Sequence, residues 1–227
     1  MFSRKLLFFA ALGLFAAPAL VAQTPSFPVP STFTATLPCA DCPAIHESLT
    51  ILPGGIYFDR LVYEGRRSTF ESLGRWSLSS GGSLLSLHAS SASDYSILDP
   101  SHLRKLAPEG SHIPAMYLPT FTRSAFPAIP SVAFSLRGDY SSAPADSQFT
   151  DCASNISLPI AATGDSAALE RAYSAAQLKS GATLFVTLSV RIVLEKDPSG
   201  RASSAALEVV RVAAASPTDT CSSPPRS

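Results

Sequence analysis

Two cysteines separated by two residues are the chemically most distinctive feature of this sequence. Cys39 and Cys42 lie in the stretch 37–43, between an alternating apolar run at 31–37 and another at 47–52, so the pair occupies a loop between two expected strands. A close cysteine pair can form a small-loop disulfide, exchange thiols with a substrate, or bind a soft metal ion such as Cu(I). For the metal alternative, His46 is a third candidate ligand.

The residues around the pair argue against catalysis. In thioredoxin-like enzymes the first cysteine begins a helix, whose dipole lowers the thiol pKa, whereas strands and prolines flank Cys39 and Cys42. The preferred interpretation is a structural or redox-sensitive disulfide. Copper binding at Cys39 and Cys42 is the second alternative, and thiol exchange is the third.

An export signal at the N-terminus sets the redox surroundings of these cysteines. Two basic residues precede an apolar run at 6–15, and small residues at Ala22 or Ala19 suit cleavage, so residues 1–23 are expected to be a secretory signal peptide. The first cysteine is at position 39, so we expect no lipobox cysteine and a location in the periplasm or cell envelope. No later run is long and apolar enough to predict a transmembrane segment.

Four cysteines in an oxidising compartment favour two disulfides, for which three pairings exist. Pairing Cys39 with Cys42 and Cys152 with Cys221 keeps each bridge within one half of the chain, and we expect this arrangement. In the chain-entropy account the longer loop, of about 70 residues, stabilises the fold by roughly 4 kcal/mol. The bridge between Cys39 and Cys42 closes too short a loop to add much stability.

The composition and the absence of several motifs argue against specific classes of function. The formal net charge is zero and no basic stripe is present, which argues against nucleic-acid binding. The sequence has no Gly-x-Ser-x-Gly elbow, no histidine spacing of a triad or zinc site, and no glycine loop that would bind a phosphate. We therefore predict a protein that is not an enzyme and that has no cofactor other than possible copper.

Short strands separated by turn residues fill residues 31–118, a pattern typical of an all-β sandwich or barrel. In one strand, Ile56, Phe58, Leu61 and Tyr63 alternate with polar neighbours, with one break that a β-bulge would explain. The aromatic residues of this half either fill the core or line a small-molecule cavity. They are Tyr57, Phe58, Tyr63 and Trp76.

The second half of the chain changes its hydrophobic period. Leu169, Ala172, Tyr173 and Ala176 fall at helical spacing, which predicts one helix between strands. Three strands, a helix and two strands is the order of an OB-fold barrel. The strands are expected at 132–140, 148–152, 156–160, 183–195 and 206–212.

Prolines divide the mature chain into two expected domains. Alternate prolines predict an extended leader at 24–30, and three more predict a linker at 119–131. The first domain is then 31–118 and the second is 132–223.

Short motifs in both halves resemble the NlpE family of envelope proteins. The first half carries LPCADC at 37–42 and GRW at 74–76, and the second half carries LRGDY at 136–140, FTDC at 149–152 and ALERAYSAA at 168–176. The resemblance implies a lipocalin-like N-terminal barrel followed by a C-terminal OB-fold. It also implies a non-enzymatic role in envelope stress sensing through the Cpx sensor-kinase pathway, with links to copper resistance and adhesion.

The resemblance also implies roles for the two cysteine pairs. A periplasmic sensor-kinase domain is the implied partner, and reduction of the Cys152–Cys221 bridge would loosen the second barrel and so report failed oxidative folding. The alternative function is a barrel module that binds a small molecule or copper.

Overall fold

The computed structural model describes residues 25–89, 92–125, 129, 131–142, 147–179, 181–196, 199–200 and 202–222. The expected signal peptide lies outside these residues. In the described part, no helix is long and apolar enough to cross a membrane.

Eight antiparallel strands form a closed first barrel in which each strand pairs with the next and β8 pairs with β1. Because each strand pairs with the next one along the chain, the barrel has the up-and-down order of lipocalins. The strands are β1 (Ser31–Leu37), β2 (Ile45–Leu52), β3 (Ile56–Tyr63), β4 (Thr69–Leu78), β5 (Leu84–His88), β6 (Ser93–Asp99), β7 (His102–Lys105) and β8 (Thr120–Arg123).

Five strands and one helix form a second closed barrel, in the spatial order β10, β11, β13, β12, β9. The helix α1 connects β11 to β12, and its Leu169 is completely buried against the barrel core. The elements are β9 (Phe134–Ser141), β10 (Gln148–Asp151), β11 (Ser157–Gly164), α1 (Ser166–Ala175), β12 (Leu184–Lys196) and β13 (Ala202–Ser216). The expected all-β fold, with a lipocalin-like barrel and an OB-fold barrel that carries one helix, is confirmed.

The predicted linker requires a correction at its N-terminal end. Strand β8, at Thr120–Arg123, lies inside the segment 119–131 and pairs with both β7 and β1. Its Phe121 is completely buried in the first core. The first barrel therefore continues to Arg123, because without β8 its edge strands would be left unpaired.

The expected bulge in β3 is absent, and the first residues of this strand are buried on both faces. Its pairing with β2 and β4 is continuous. Tyr57 points into the first barrel, next to Gly74, where a Cβ atom would overlap the Tyr57 ring. Phe58 points outward and packs on Phe134 of the second barrel, with ring centroids 4.7 Å apart. Apolar residues on both faces disturbed the alternation that the prediction relied on.

The two barrels share an apolar interface beside β3 and β4. Leu52, Ile56, Phe58 and Leu73 project from the outside of the first barrel and belong to the same buried cluster as the second barrel's core. Trp76 lies instead on the inner face of the first barrel, packed against its core, and its Nε1–H donates a hydrogen bond of 2.9 Å to the carbonyl oxygen of Leu52.

Candidate functional site

The CxxC loop at residues 38–44 joins β1 to β2 at one end of the first barrel, which we call the upper end. The last pair of the β1–β2 ladder joins Leu37 to Ile45, so the loop starts and ends at adjacent positions. The sulfur atoms of Cys39 and Cys42 form a disulfide with a separation of 2.00 Å. Both cysteines are half-buried, so the bridge is accessible from solvent.

Two contacts fasten the CxxC loop to the neighbouring β3–β4 loop. The guanidinium of Arg66 lies 2.6 Å from Oδ2 of Asp41 and donates a hydrogen bond of 2.8 Å to the Asp41 carbonyl oxygen. The backbone N–H of Glu64 donates a hydrogen bond of 2.9 Å to the carbonyl oxygen of Ala44. The loop is therefore held at both its middle and its end.

The predicted third ligand, His46, is not grouped with the sulfur atoms. Its Nε2 lies 3.5 Å from Oε2 of Glu64, and its Nδ1 lies 3.4 Å from the hydroxyl of Thr36. The ligand-type atoms that lie within 4.8 Å of one another belong to Cys39, Asp41 and Cys42. Spacing in the sequence missed Asp41, although it stands between the two cysteines and its carboxylate is within reach of both.

The disulfide has a direct consequence for metal binding. Cu(I) is bound by thiolates, and a disulfide offers none. The loop can therefore provide Cys39 and Cys42 as ligands only after reduction, when Asp41 would supply a nearby carboxylate.

The second disulfide joins Cys152 to Cys221 and fixes the C-terminal tail to the second barrel. The backbone N–H of Cys152 donates a hydrogen bond of 2.8 Å to the carbonyl oxygen of Arg137. The turn that follows is held by the buried Asp151, whose Oδ2 accepts hydrogen bonds from the backbone N–H and the hydroxyl of Ser154. Both cysteines line a groove of about 510 Å³ between the barrels, opposite Leu73 of β4.

The interior of the first barrel is filled at its lower end and open at its upper end. Phe27 closes the lower end by packing edge-on against Phe33, with ring centroids 5.0 Å apart. At the upper end the inward positions are only partly covered: Leu61 and Tyr63 are half-buried and Phe70 is 60% exposed. Of the predicted aromatic residues, Tyr57 thus fills the core, whereas Tyr63 lies at the open end.

Two barrels in tandem, the first carrying a CxxC loop and the second a tail-to-barrel disulfide, define the class of this protein. The NlpE N-terminal domain matches residues 33–116, and the NlpE C-terminal OB domain matches residues 130–222. The chain therefore belongs to the NlpE family.

The chain is also similar to individual proteins. The chain is 29% identical over 199 residues to lipoprotein NlpE of Escherichia coli strain K12, which covers 86% of this chain and 82% of the relative. The crystal structure of the Cpx pathway activator NlpE from Escherichia coli matches 86% of this chain and 99% of its own, with 29% identity and a TM-score of 0.40. A putative lipoprotein from Shewanella oneidensis matches 47% of this chain and 100% of its own, with 25% identity and a TM-score of 0.38.

Proposed function

We propose that this protein is a non-enzymatic sensor of envelope stress that acts through contacts with a signalling protein. The observation that carries the proposal is the match to both NlpE domains, in order, over residues 33–116 and 130–222. The Escherichia coli relative is described as an activator of the Cpx pathway, and we extend that role to this chain. The partner would be a periplasmic sensor-kinase domain.

The upper end of the first barrel is the surface that suits such a contact. Phe70, Met116 and Tyr117 are 60%, 82% and 73% exposed, and all three lie at this end, in β4 or in the connection from β7 to β8. Large exposed apolar side chains at one end of a barrel favour a protein partner. The exposed CxxC loop is at the same end, so its redox state would act directly on the contact.

The bridge at Cys152 and Cys221 gives the proposed sensor an input. The disulfide ties the tail to the second barrel, so a chain that has failed to oxidise would lack this restraint. We propose that the reduced form is the one that reports failed oxidative folding.

A signalling reporter tests the proposed role. The full chain would be produced in Escherichia coli K12 that lacks its own NlpE and carries a reporter of the Cpx pathway. We expect reporter activity to rise severalfold with the wild type, and to rise much less with the Met116→Ser/Tyr117→Ser variant. Val210→Ser changes an exposed apolar residue of the second barrel and is the matched control. No response at equal periplasmic protein levels would contradict the proposal.

Copper binding at Cys39 and Cys42 is the second candidate function, supported by the clustering of their sulfur atoms with the Asp41 carboxylate. Anaerobic titration of the reduced protein with Cu(I), against a chelator of known affinity, measures it. We expect one Cu(I) per chain, lost in the Cys39→Ser/Cys42→Ser variant and retained in His46→Ala. Absence of stoichiometric uptake by the reduced wild type would refute this function.

A further inference from the structure

A layer of ionisable side chains crosses the interior of the first barrel. Glu47 on β2 is almost completely buried, and its Oε1 lies 3.3 Å from Nζ of Lys105 on β7 and accepts a hydrogen bond of 3.4 Å from the Tyr95 hydroxyl on β6. Asp59 on β3 pairs with Leu49, the next inward residue of β2 after Glu47. The two carboxyl groups are therefore diagonal neighbours on one face of the sheet.

The two carboxyl groups of this layer are not equally paired, because Lys105 forms an ion pair with Glu47, whereas Asp59 has none in the described part of the chain. Oε2 of Glu47 and Oδ1 of Asp59 are both shielded from solvent, and neither has a hydrogen-bond partner in the described part of the chain. With both carboxyls ionised, the charge of Asp59 lies beside that of Glu47 without an ion pair of its own, which is unfavourable. A proton on Asp59 removes this charge and leaves the pair of Glu47 and Lys105.

The surroundings of Asp59 favour that proton. Burial, followed by the nearby Glu47 carboxylate, raises the pKa of Asp59 to about 7, against the opposing effects of Lys105 and of a backbone hydrogen bond with Arg60. Burial is also the main factor that raises the pKa of the Tyr95 hydroxyl on β6, so this group adds no charge to the layer.

Two further groups complete the set of titratable and charged side chains that face Asp59. Burial and Asp59 raise the pKa of the Tyr57 hydroxyl on β3 to about 12, and its hydrogen-bond partner is Ser72 on β4. Arg123 on β8 lies in the same row of the inner face, because Phe33 pairs with both Arg123 and Leu49, and Leu49 pairs with Asp59.

The strands that carry the two carboxyl groups also hold the CxxC loop. From the layer, β2 and β3 continue to the upper end. There Ile45, the first residue of β2, pairs with Leu37 of β1 on one side and with Tyr63 of β3 on the other. Immediately beyond this pair, the backbone N–H of Glu64 donates a hydrogen bond to the carbonyl oxygen of Ala44. A change in packing at the layer therefore acts on the strand ends that fix the loop.

We propose that this charged layer is a proton-operated switch: proton uptake by Asp59 tightens the upper half of the first barrel, and proton release loosens it together with the CxxC loop. The inference goes beyond the proposed signalling role and stands on the first barrel alone, so it can fail or succeed independently of any partner.

The direction of the pH effect follows from linkage. The folded-state pKa of Asp59 is raised above its unfolded value of 3.8, so the stabilisation is fully present below that value and is lost as the pH rises through about 7. Between these limits the folded chain binds one more proton than the unfolded chain. The unfolding constant should then increase about tenfold per pH unit relative to a chain without this group.

The first test compares the wild type with Asp59→Asn by chemical unfolding between pH 4.5 and 8.5, values chosen to bracket a pKa of about 7. We expect the difference in unfolding constant to change by about 100-fold over two pH units below pH 7. Glu71→Gln is the matched control, because Glu71 pairs with Arg60 on the outer face, in the register step next to Asp59. Equal pH slopes for the wild type and Asp59→Asn would overturn the proposal.

The second test uses the unmodified wild type, so it does not depend on a variant that folds. Carboxyl ¹³C resonances give the titration of Asp59 directly, and hydrogen exchange, corrected for its intrinsic pH dependence, reports the opening of β2 and β3. We expect a midpoint near pH 7 and a loss of protection at 45–49 and 59–63 above it, while the strands of the second barrel keep theirs. A midpoint near 4, or unchanged protection across the titration, would refute the switch.

Discussion

The two disulfides show how differently the same bond serves the two barrels. Cys152 and Cys221 are 69 residues apart in sequence, and their bridge fixes the chain's tail beside a buried turn at Asp151. Cys39 and Cys42 are three positions apart, and their bridge closes an exposed loop that neighbouring residues already hold. The Cys152–Cys221 bridge is expected to stabilise its domain, whereas the Cys39–Cys42 bridge is accessible to reductants and, once reduced, to metal ions.

The largest expected effect is the loss of the long bridge. In the chain-entropy account, a loop of this length stabilises the folded state by roughly 4 kcal/mol, and replacing both cysteines removes that contribution. Cys152→Ser/Cys221→Ser should lower the free energy of unfolding by this amount in guanidinium titrations, with the slope of the transition reporting any change in the unfolded state. Cys221→Ser alone should show a similar loss, because one missing sulfur already abolishes the bridge.

If replacing Cys152 and Cys221 leaves the free energy of unfolding almost unchanged, the two bridges do not differ in their effect on stability. That result would also remove the basis of the proposed redox input, because reduction could not then loosen the second barrel. Reductant added to the wild type is the matching control, and the Cys39→Ser/Cys42→Ser variant shows how much of its effect belongs to the short bridge.

The short bridge should contribute less. For a loop of four residues, the same relation gives at most roughly 2 kcal/mol, and the contacts of Arg66 and Glu64 already restrain the loop in the folded state. We expect Cys39→Ser/Cys42→Ser to destabilise the protein by less than half as much as the double replacement in the second barrel. A loss equal to that of the long bridge would show that the CxxC loop is structural.

Some elements of the two barrels could be predicted from the sequence, and others could not. The order of strands and the helix of the second barrel were predictable, because Leu169 lies at helical spacing and the inward residues of β12 alternate with polar ones over much of its length. β8 was missed because its four residues lie among prolines, and only its pairing with β1 and β7 makes it a strand.

Of the candidate site, only the cysteine pair could be predicted from the sequence. The CxxC spacing indicated a bridge, but the choice between His46 and Asp41 as the neighbour of the sulfurs depends on the direction in which β2 leaves the loop. The charged layer was missed altogether. Glu47 and Asp59 appear as ordinary polar residues of alternating strands, and only the closed barrel shows that they point inward.

The smallest expected effect concerns the contact of Arg66 with Asp41. The pair is largely exposed, so its loss should change the free energy of unfolding by less than about 1 kcal/mol. Arg66 nevertheless holds the carbonyl oxygen of Asp41, in the middle of the CxxC loop. We therefore expect Arg66→Ala to leave stability almost unchanged and to speed reduction of the Cys39–Cys42 bridge severalfold, measured by alkylation and mass mapping.

Arg67→Ala is the control for this prediction, because it removes the neighbouring positive charge and leaves the contact with Asp41 in place. If both variants speed reduction equally, the effect comes from local charge rather than from the hydrogen bond. If neither does, the loop is held well enough by the Glu64–Ala44 hydrogen bond, and its accessibility is a property of the barrel end as a whole. A specific effect of Arg66 would show that the short bridge is accessible by position but protected by its neighbour, whereas the long bridge is protected by the fold.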